Sequence, residues 1–373
     1  MNIAIFSANL KTVEVNQLDF ILALIEKGHN PIVYVLNDSS ESELFNKIKV
    51  KVINVDFFDA DVCQLRSFGP INKLADLFEE NAIDILVASS APACIYGALS
   101  AKRAGVKKTF LQFTGIGRLF QTNKKFKKFY TKLLCKLACK KADKVIFHNM
   151  DNMMLFTGKK LVKGEKVAQV GGYGINVEEY SKKEYQHTNT FLMAAPLCVD
   201  KGIWEYIHAA GIVKQLKKDC NFKLLIKPDS SPYAISAQEL MPYAEKGYID
   251  RVEDYDANLE GLMEECSCFV LPSYHEAMPF ELLLAMAKGR PVIATDVPGC
   301  RDAVLDGING YIVPPQDVET MVRRILSFID EPEKAAEMAA ESYSICTQKY
   351  DAYDVCDRLL GLIFPSVGDE INE

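Results

Sequence analysis

Two short apolar runs with one helical segment between them constrain the fold of this chain most. Cys268–Leu271 and Val292–Thr295 have the composition of buried strands, and Glu281–Lys288 has the pattern of a helix. Pro279 suits the first position of that helix, because an N–H at this position would have no partner in the helix and proline has no N–H. Gly289 is typical of a helix end. A strand, a crossover helix and a second strand build parallel sheets. The segment therefore predicts an α/β fold.

The same alternation extends through the rest of the chain, on both sides of the polar residues 178–190. The predicted strands before that stretch are Ile3–Phe6, Ile32–Leu36, Val50–Val55, Ile83–Ala88, Lys108–Phe113 and Lys144–Phe147. Those after it are Phe191–Ala195, Lys223–Lys227, Cys268–Leu271, Val292–Thr295 and Tyr311–Val313. Helical patterns such as Val15–Lys27 and Ile203–Lys217 lie between them. Because a chain of 373 residues exceeds one core, we predict two doubly wound domains joined by a linker at 178–190.

The composition excludes several classes of protein. No apolar run approaches the ~20 residues that span a bilayer, and the first residues, MNIAIFSANL, have the pattern of a strand rather than of a signal peptide. The 11 cysteines show no metal-ligand spacing, which favours reduced, buried thiols in a cytoplasmic protein and no metal site. The net charge of −7 argues against nucleic acid as a partner.

Residues 118–144 form a basic segment within this acidic chain. Arg118 and nine lysines occur there against one acid, Asp143. Lysines at a spacing of four form one row of a helix, and apolar residues form another face. The row is Lys124, Lys128, Lys132, Lys136 and Lys140, and the apolar residues are Phe126, Phe129, Leu133, Leu134 and Leu137. We predict that Lys124, Lys128, Lys132 and Lys136 face an anionic membrane surface. A solvated lysine face over a core stripe and an anionic protein partner are the alternatives.

A resemblance to a known family rests mainly on residues 272–313, which begin PSYHEAMPFELLLAMAKGRPVIATDVPG. This segment resembles the donor-sugar segment of retaining GT-B glycosyltransferases of family 4, which usually reads SYxEGxPxxLLEAMAxGxPVIATDVxG. The resemblance extends in order to TFLQFTGIGRLF (109–120), GGYGINVEEY (171–180), APLCVDKGI (195–203) and residues 305–313. It implies two Rossmann-like domains facing a central cleft: residues 1–180 on the acceptor side, residues 191–345 on the donor side, and residues 346–373 crossing back to the first domain.

The resemblance also implies roles for individual residues. Glu276 would bind hydroxyls of the donor sugar, and Lys201 would meet the diphosphate, so both are the candidate catalytic residues. The other candidate donor-binding residues are Ala277, Met278, Pro279, Phe280, Glu281, Lys227 and Gly174. The candidate acceptor-side residues are Thr114, Gly115, Gly117 and His148.

The function implied by the resemblance is retaining transfer of a hexose or N-acetylhexosamine from a nucleotide sugar, with a UDP-sugar as the expected donor. The acceptor would be lipid-linked or a polysaccharide, in surface glycan synthesis, without a metal or other cofactor. The enzyme would be cytoplasmic and peripheral on the inner face of the cell membrane. Pro196 and Leu284 stand where the family has an arginine and its second glutamate. They favour an alternative, a catalytically weak or inactive GT-B subunit that binds a partner glycosyltransferase or a glycan.

Overall fold

The chain divides into two compact units. The computed structural model describes residues 1–58, 69–115, 125–229, 231 and 233–365. Unit 1 consists of Met1–Gly174 together with the chain from Ala352 onward, and unit 2 is Ile175–Asp351. The polar residues 178–190, which we predicted as a linker, belong to unit 2. Tyr180 and Tyr185 anchor them, because both pack on hydrophobic cores of that unit.

Unit 1 is built on a parallel sheet. The strands found in its described residues are β1 (Asn2–Ser7), β2 (Asn30–Leu36), β3 (Lys51–Val55), β4 (Ile85–Ser89), β5 (Lys108–Phe113), β6 (Lys144–Phe147) and β7 (Val167–Gln169). Their order across the sheet is β3-β2-β1-β4-β5-β6-β7. In register, Ile3 of β1 lies between Pro31 of β2 and Ile85 of β4. All pairs are parallel, so every connection crosses over through a helix or a longer segment.

Helices cover both faces of this sheet. They are α1 (Leu10–Asn16), α2 (Leu18–Glu26), α3 (Glu43–Lys47), α4 (Gly69–Glu80), α5 (Ala91–Arg103), α6 (Lys125–Lys141) and α7 (Met150–Gly158). The predicted single helix Val15–Lys27 is in fact two, separated at Gln17. The backbone of Gln17 is not helical (φ −127°, ψ 7°), and its buried amide donates a hydrogen bond to Ser89 Oγ at 2.8 Å.

Unit 2 repeats this architecture. Its strands, over the residues described, are β8 (Thr190–Pro196), β9 (Asn221–Lys227), β10 (Arg251–Asp254), β11 (Cys268–Leu271), β12 (Val292–Thr295) and β13 (Gly310–Val313), in the order β10-β9-β8-β11-β12-β13. Its helices are α8 (Ile203–Leu216), α9 (Ala237–Glu245), α10 (Tyr255–Glu265), α11 (Phe280–Ala287), α12 (Cys300–Ala303), α13 (Val318–Asp330) and α14 (Pro332–Lys349). The prediction of two doubly wound, Rossmann-like domains is confirmed.

The last helix, α15 (Ala352–Ile363), packs in unit 1. Its apolar residues Val355, Leu359, Leu360 and Ile363 are all buried. Leu359, Leu360 and Ile363 share a core with Phe20 and Leu24 of α2. The helix is therefore held by hydrophobic burial, which is the dominant favourable term in packing of this kind.

The sequence predicted buried cysteines and no apolar run long enough to span a bilayer. The ten cysteines in the described part of the chain are all buried. None of the helices described is long and apolar enough to cross a membrane.

In both sheets the strand order reverses at one point. The reversal lies between β1 and β4 in unit 1 and between β8 and β11 in unit 2. In open α/β sheets, ligands bind outside the carboxyl ends of the strands at this point. Each unit therefore has one favoured location for a ligand.

Candidate functional site

The loop after β8 supplies the first part of the site in unit 2. β8 ends at Pro196, and Val199–Lys201 form one turn of 3-10 helix before α8. Gly202 has a left-handed backbone (φ 72°), and a Cβ at this position would lie 2.2 Å from the carbonyl oxygen of Pro272. Only glycine fits both conditions. The close approach brings the loop after β8 against the loop after β11.

The loop after β11 is held from several sides. Tyr274 N–H donates to the carbonyl oxygen of Asp200 at 2.8 Å, and Thr295 Oγ1 donates to the carbonyl oxygen of Ser273. Gly299 lies so close to Ala277 that a Cβ would be 2.1 Å from its carbonyl oxygen. The predicted donor-binding residues 277–279 therefore run in a fixed path into α11. That helix begins at Phe280, so Pro279 is its N-cap and not its first helical residue.

Lys201 and Glu276 meet across the reversal of strand order. Lys201 Nζ lies 2.6 Å from Glu276 Oε1, and their side chains are 28% and 10% exposed. Burial acts to lower the pKa of Lys201, but the charge and the hydrogen bond of Glu276 outweigh it, so the pKa lies above its usual value. The lysine is thus a cation, placed where a ligand of this fold is expected.

Two helix N-termini flank this ion pair in the sequence. α8 begins directly after Lys201 and Gly202, and α11 begins four residues after Glu276. Neither N-cap residue, Gly202 or Pro279, makes a side-chain capping hydrogen bond. The first N–H groups of a helix lack intrahelical partners and carry partial positive charge. Together with Lys201, they can receive an anionic group such as a diphosphate.

A second group of predicted residues is joined by a tyrosine that the sequence analysis missed. Lys227 Nζ lies 4.0 Å from the centre of the Tyr255 ring, a cation–π contact. The Tyr255 hydroxyl donates a hydrogen bond to Glu281 Oε1. Lys227 and Glu281 are thus connected through Tyr255, which follows β10 and belongs to no motif.

Tyr274 and Glu205 form a further contact that was not predicted. The Tyr274 hydroxyl donates to Glu205 Oε1 at 2.6 Å. Burial and this hydrogen bond raise the pKa of Tyr274 to about 12, so the phenol stays protonated. Glu205 lies in the first turn of α8, and the contact ties that helix to the loop after β11.

The two departures from the family pattern have different surroundings. Leu284 is 1% exposed and belongs to a hydrophobic core of unit 2. Pro196 pairs in register with Lys227 of β9, so this lysine stands opposite the position where the family has an arginine.

In unit 1, polar side chains gather at the carboxyl edge of the sheet. Gln17 Nε2 donates to Ser89 Oγ at 2.8 Å and to the Tyr173 hydroxyl at 3.2 Å. The Tyr173 hydroxyl also forms a hydrogen bond with Thr114. The His148 ring lies 4.6 Å from the Tyr173 ring, edge to face. Tyr173 therefore brings together Thr114 and His148, two of the predicted acceptor-side residues.

His148 itself is almost completely enclosed. Its side chain is 2% exposed, and Nε2 has no hydrogen-bond partner in the part of the chain that the structure describes. Burial lowers the pKa of His148 to about 4, so the ring is neutral near pH 7.

The structure describes two of the three glycines predicted for the site, Gly115 and Gly174. Gly115 directly follows Thr114 and is exposed. Gly117 lies outside the described residues. Gly174, predicted to bind the donor, is the last residue of unit 1 before the chain enters unit 2, with φ 78°.

Ser90 is a strained residue that sequence reasoning missed. It follows β4 at the reversal of strand order, with φ 81° and ψ 152°. This region is almost restricted to glycine, and other residues there typically have a functional reason. Its hydroxyl oxygen is buried and has no partner among the described residues.

The described part of the basic segment contains the helix α6, as predicted. Lys128 and Lys136 are exposed and Lys132 is half-buried, whereas Lys124 lies outside the described residues. Of the predicted apolar face, Leu134 is buried in the core, but Phe129, Leu133 and Leu137 are 65%, 42% and 40% exposed. These three residues do not form a core stripe, because the buried face of α6 is instead made by Leu134, Cys135 and Ala138.

No group of three or more His, Cys, Asp or Glu side chains suited to a metal ion occurs among the described residues.

Comparison with known families agrees with this geometry. The family described as "Glycosyl transferases group 1" matches residues 176–344, and "Glycosyl transferase 4-like" matches residues 4–149. The chain belongs to the GT-B glycosyltransferases of family 4. The matches cover most of both units of this glycosyltransferase, and the GT-B fold expected from the sequence is confirmed.

Two similar proteins and one solved structure each match more than four fifths of this glycosyltransferase. It is 26% identical over 364 residues to N,N'-diacetylbacillosaminyl-diphospho-undecaprenol alpha-1,3-N-acetylgalactosaminyltransferase of Campylobacter jejuni, covering 93% of this chain and 94% of the relative. It is 23% identical over 331 residues to the capsular polysaccharide biosynthesis glycosyltransferase CapM of Staphylococcus aureus, with 83% of each chain covered. The structure of HepE from Anabaena in complex with UDP superposes with a TM-score of 0.77 at 16% identity, covering 97% of this chain and 99% of that chain.

Proposed function

We propose that this protein is a retaining glycosyltransferase that moves a hexose or N-acetylhexosamine from a UDP-sugar to a lipid-linked acceptor in surface glycan synthesis. The observation that carries the proposal is the pair formed by Lys201 and Glu276, 2.6 Å apart at the reversal of strand order in unit 2. In this position Lys201 would contact the diphosphate, and Glu276 would accept hydrogen bonds from hydroxyls of the sugar.

In the reaction, the bond between the anomeric carbon and the diphosphate oxygen breaks as a bond to the acceptor hydroxyl oxygen forms on the same face. The hydroxyl proton passes to the leaving phosphate. Negative charge develops on the diphosphate, so a fixed cation and helix N-termini accelerate the step by electrostatic stabilisation. Lys201 and the first turn of α11 would supply it.

Lys227 would take part of the role of the arginine that Pro196 replaces. The two residues are register partners on neighbouring strands, so the lysine starts from the adjacent strand end. Its ammonium lies over the Tyr255 ring at 4.0 Å, a contact that keeps the charge without engaging it in an ion pair. A lysine provides a point charge and not the bidentate hydrogen bonds of an arginine.

The lipid-linked acceptor and the membrane are supported by two observations. The Campylobacter jejuni relative is named for an undecaprenol-linked substrate. α6 exposes lysines beside Phe129, Leu133 and Leu137, a combination typical of helices that lie on anionic membranes. We propose that Lys128, Lys132 and Lys136 face the cytoplasmic side of the membrane.

A second candidate function is favoured by the burial of Leu284. Leu284 is 1% exposed in the core, so the second glutamate of the family has no equivalent at this helical position. On this hypothesis the protein is a weakly active or inactive GT-B subunit that binds a partner glycosyltransferase or a glycan.

The two candidates are separated by Glu276→Gln and Lys201→Met, tested for UDP binding by calorimetry and for transfer from a panel of UDP-sugars. Loss of one charged hydrogen bond in the transition state corresponds to about 10- to 100-fold in rate, and we expect that loss in each variant. Lys217→Met and Asp330→Asn are the matched controls, because Lys217 Nζ lies 2.6 Å from Asp330 Oδ1 in an exposed ion pair of the same unit. Folded wild-type protein that binds no UDP or UDP-sugar would contradict the enzyme and favour the non-catalytic subunit.

A further inference from the structure

Unit 1 contains a cavity that the proposed transfer reaction does not use. Its volume is about 850 Å³, and it lies between the C-terminal half of α6 and the segment after α7. The charged residues that line it are Lys136, Lys140, Lys160, Lys163, Lys166 and Glu165. Five cations face one anion in a chain with a net charge of −7, so positive potential is concentrated here.

The topology places this cavity away from the candidate acceptor residues. α6 connects the parallel strands β5 and β6, so its C-terminal end lies at the amino edge of the sheet. Residues 159–166 lead from α7 into β7 and lie at that same edge. Thr114 and His148, by contrast, follow the carboxyl ends of β5 and β6.

The lining lysines differ in how they are engaged. Lys166 Nζ donates to the carbonyl oxygens of Lys140 and Ala142, so these two carbonyl groups at the C-terminal end of α6 have hydrogen-bond partners. Lys163 Nζ lies 3.3 Å from Glu165 Oε1. The other three, Lys136, Lys140 and Lys160, form no ion pair with any of the described carboxylates.

Lys160 occupies a backbone position that favours glycine. Its φ is 54°, at the end of α7, where its N–H donates to the Thr157 carbonyl oxygen and Leu161 N–H donates to that of Phe156, both at 2.9 Å. Such helix ends usually carry glycine or asparagine. The chain instead places an exposed cation there, at the rim of the cavity.

We propose that this cavity binds the phosphate of an anionic lipid headgroup. A volume of about 850 Å³ is within the usual range for small-molecule sites, and the unpaired lysines match a phosphate in charge. The exposed side chains of Leu133 and Leu137 on α6 favour a lipid over a soluble phosphate, because they would contact acyl chains beside the headgroup. The inference rests on the proposed membrane contact of α6. It adds a specific lipid ligand at the C-terminal end of that helix.

The test compares two triple variants of the full chain in sedimentation with phosphatidylglycerol–phosphatidylcholine vesicles. The first is Lys136→Gln, Lys140→Gln and Lys160→Gly. The control is Lys102→Gln, Lys108→Gln and Lys49→Gly, which removes the same charge from exposed positions of unit 1 outside the cavity. Lys49 also has a left-handed backbone, with φ 57°, so it matches Lys160. Each lysine near an anionic surface contributes roughly a factor of five, so the cavity variant should bind about 100-fold more weakly and the control within about threefold of wild type.

A second arm measures binding of inorganic pyrophosphate by calorimetry. Equal vesicle binding by wild type and the cavity variant would overturn both the cavity as a site and Lys136 as a membrane contact, and would leave only Lys128 and Lys132 of α6 for the membrane. If wild type does not bind the vesicles but binds pyrophosphate, and the cavity variant does not bind pyrophosphate, the lipid is overturned as the ligand. Wild type that binds neither would overturn both the cavity and the membrane contact. UDP binding, assayed separately, reports on the transferase proposal in every case.

Discussion

Gly202 packs directly against the backbone of Pro272. The 2.2 Å that would separate a Cβ on Gly202 from the Pro272 carbonyl oxygen is far below any van der Waals contact. These two residues neighbour Lys201 and the start of the loop that carries Glu276. The spacing of the candidate catalytic pair therefore depends on the absence of a side chain at residue 202.

Gly202→Ala should both destabilise unit 2 and abolish UDP binding. A left-handed alanine costs about 1–2 kcal/mol, and the clash with Pro272 adds to this by forcing the two loops apart. Gly247→Ala is the matched control, because Gly247 has the same φ of 72° but open space around its Cβ position. Urea unfolding and calorimetry with UDP measure both effects. Equal losses in the two variants would show that the contact with Pro272 does not position the site.

Leu284→Glu should destabilise the protein and not restore a nucleotide contact. Leu284 is 1% exposed in a hydrophobic core, and burying an unpaired carboxylate typically costs several kcal/mol or forces its protonation. Leu284→Met is the control, since a swap of similar volume usually costs under ~1.5 kcal/mol. The free energy of unfolding and UDP affinity are measured for both. A stable Leu284→Glu protein that binds UDP more tightly would refute the expectation.

His148 should make the protein less stable in mild acid. Its folded pKa of about 4 lies below the ordinary value of 6.5, so between these values only the unfolded chain takes up the proton. The folded state therefore loses stability as the pH falls from 6.5 towards 4, and loses nothing above 6.5. At pH 5 the loss is about 2 kcal/mol.

The measurement compares urea unfolding of wild type and His148→Phe at pH 8 and pH 5. Phenylalanine preserves an aromatic ring beside Tyr173 and does not titrate. The decrease in the free energy of unfolding between the two pH values should be smaller in the variant by about 2 kcal/mol. Identical decreases would mean that His148 is not kept neutral by the fold.

Lys128→Gln with Lys132→Gln should weaken binding to anionic vesicles by roughly 25-fold at low salt, because each lysine near the surface contributes about a factor of five. Added salt should reduce the difference by screening. Lys102→Gln with Lys108→Gln is the control on other elements of unit 1. Vesicle binding that is unchanged in the α6 variant would favour the solvated lysine face.

Lys160→Gly should raise the stability of the protein while removing a charge from the cavity. Relief of the left-handed backbone is worth about 1 kcal/mol, and Lys49→Gly should gain a similar amount for the same reason. Thermal unfolding reports the gain. A loss of stability in Lys160→Gly alone would indicate that the lysine side chain holds the end of α7.

Most strands were predictable from an apolar run, including β3 and β13 at the sheet edges, but two strands were not. Lys144–Phe147 matches β6 because its apolar side chains are enclosed on both faces. β7 and β10 were missed, and both are outermost strands of their sheets. β7 has three residues, and β10, RVED, is mostly polar, so neither has the apolar run that marks an interior strand.

The residues of the candidate site were predicted individually, but the contacts between them were not. Lys201 and Glu276 each follow a predicted strand, but their contact depends on β8 and β11 being neighbours, and strand order is a property of the whole sheet. Tyr255 carries no local signal, because its role arises from two partners that are distant in sequence. For Leu284 the sequence identified the position but not its environment. Only the surrounding packing shows that this position is buried and unsuited to a polar side chain.

Because α15 returns to unit 1, unit 2 is an insertion within the sequence of unit 1. Ile175 N–H donates to the Tyr350 carbonyl oxygen at 2.8 Å, and Ile175 pairs with Asp351, so the chain enters and leaves unit 2 at one place. Domains whose ends are adjacent tolerate excision and exchange well. A short glycine linker from Gly174 to Ala352 would close unit 1, and residues 175–351 could be produced on their own. Nucleotide binding could then be assigned to one polypeptide and lipid binding to the other.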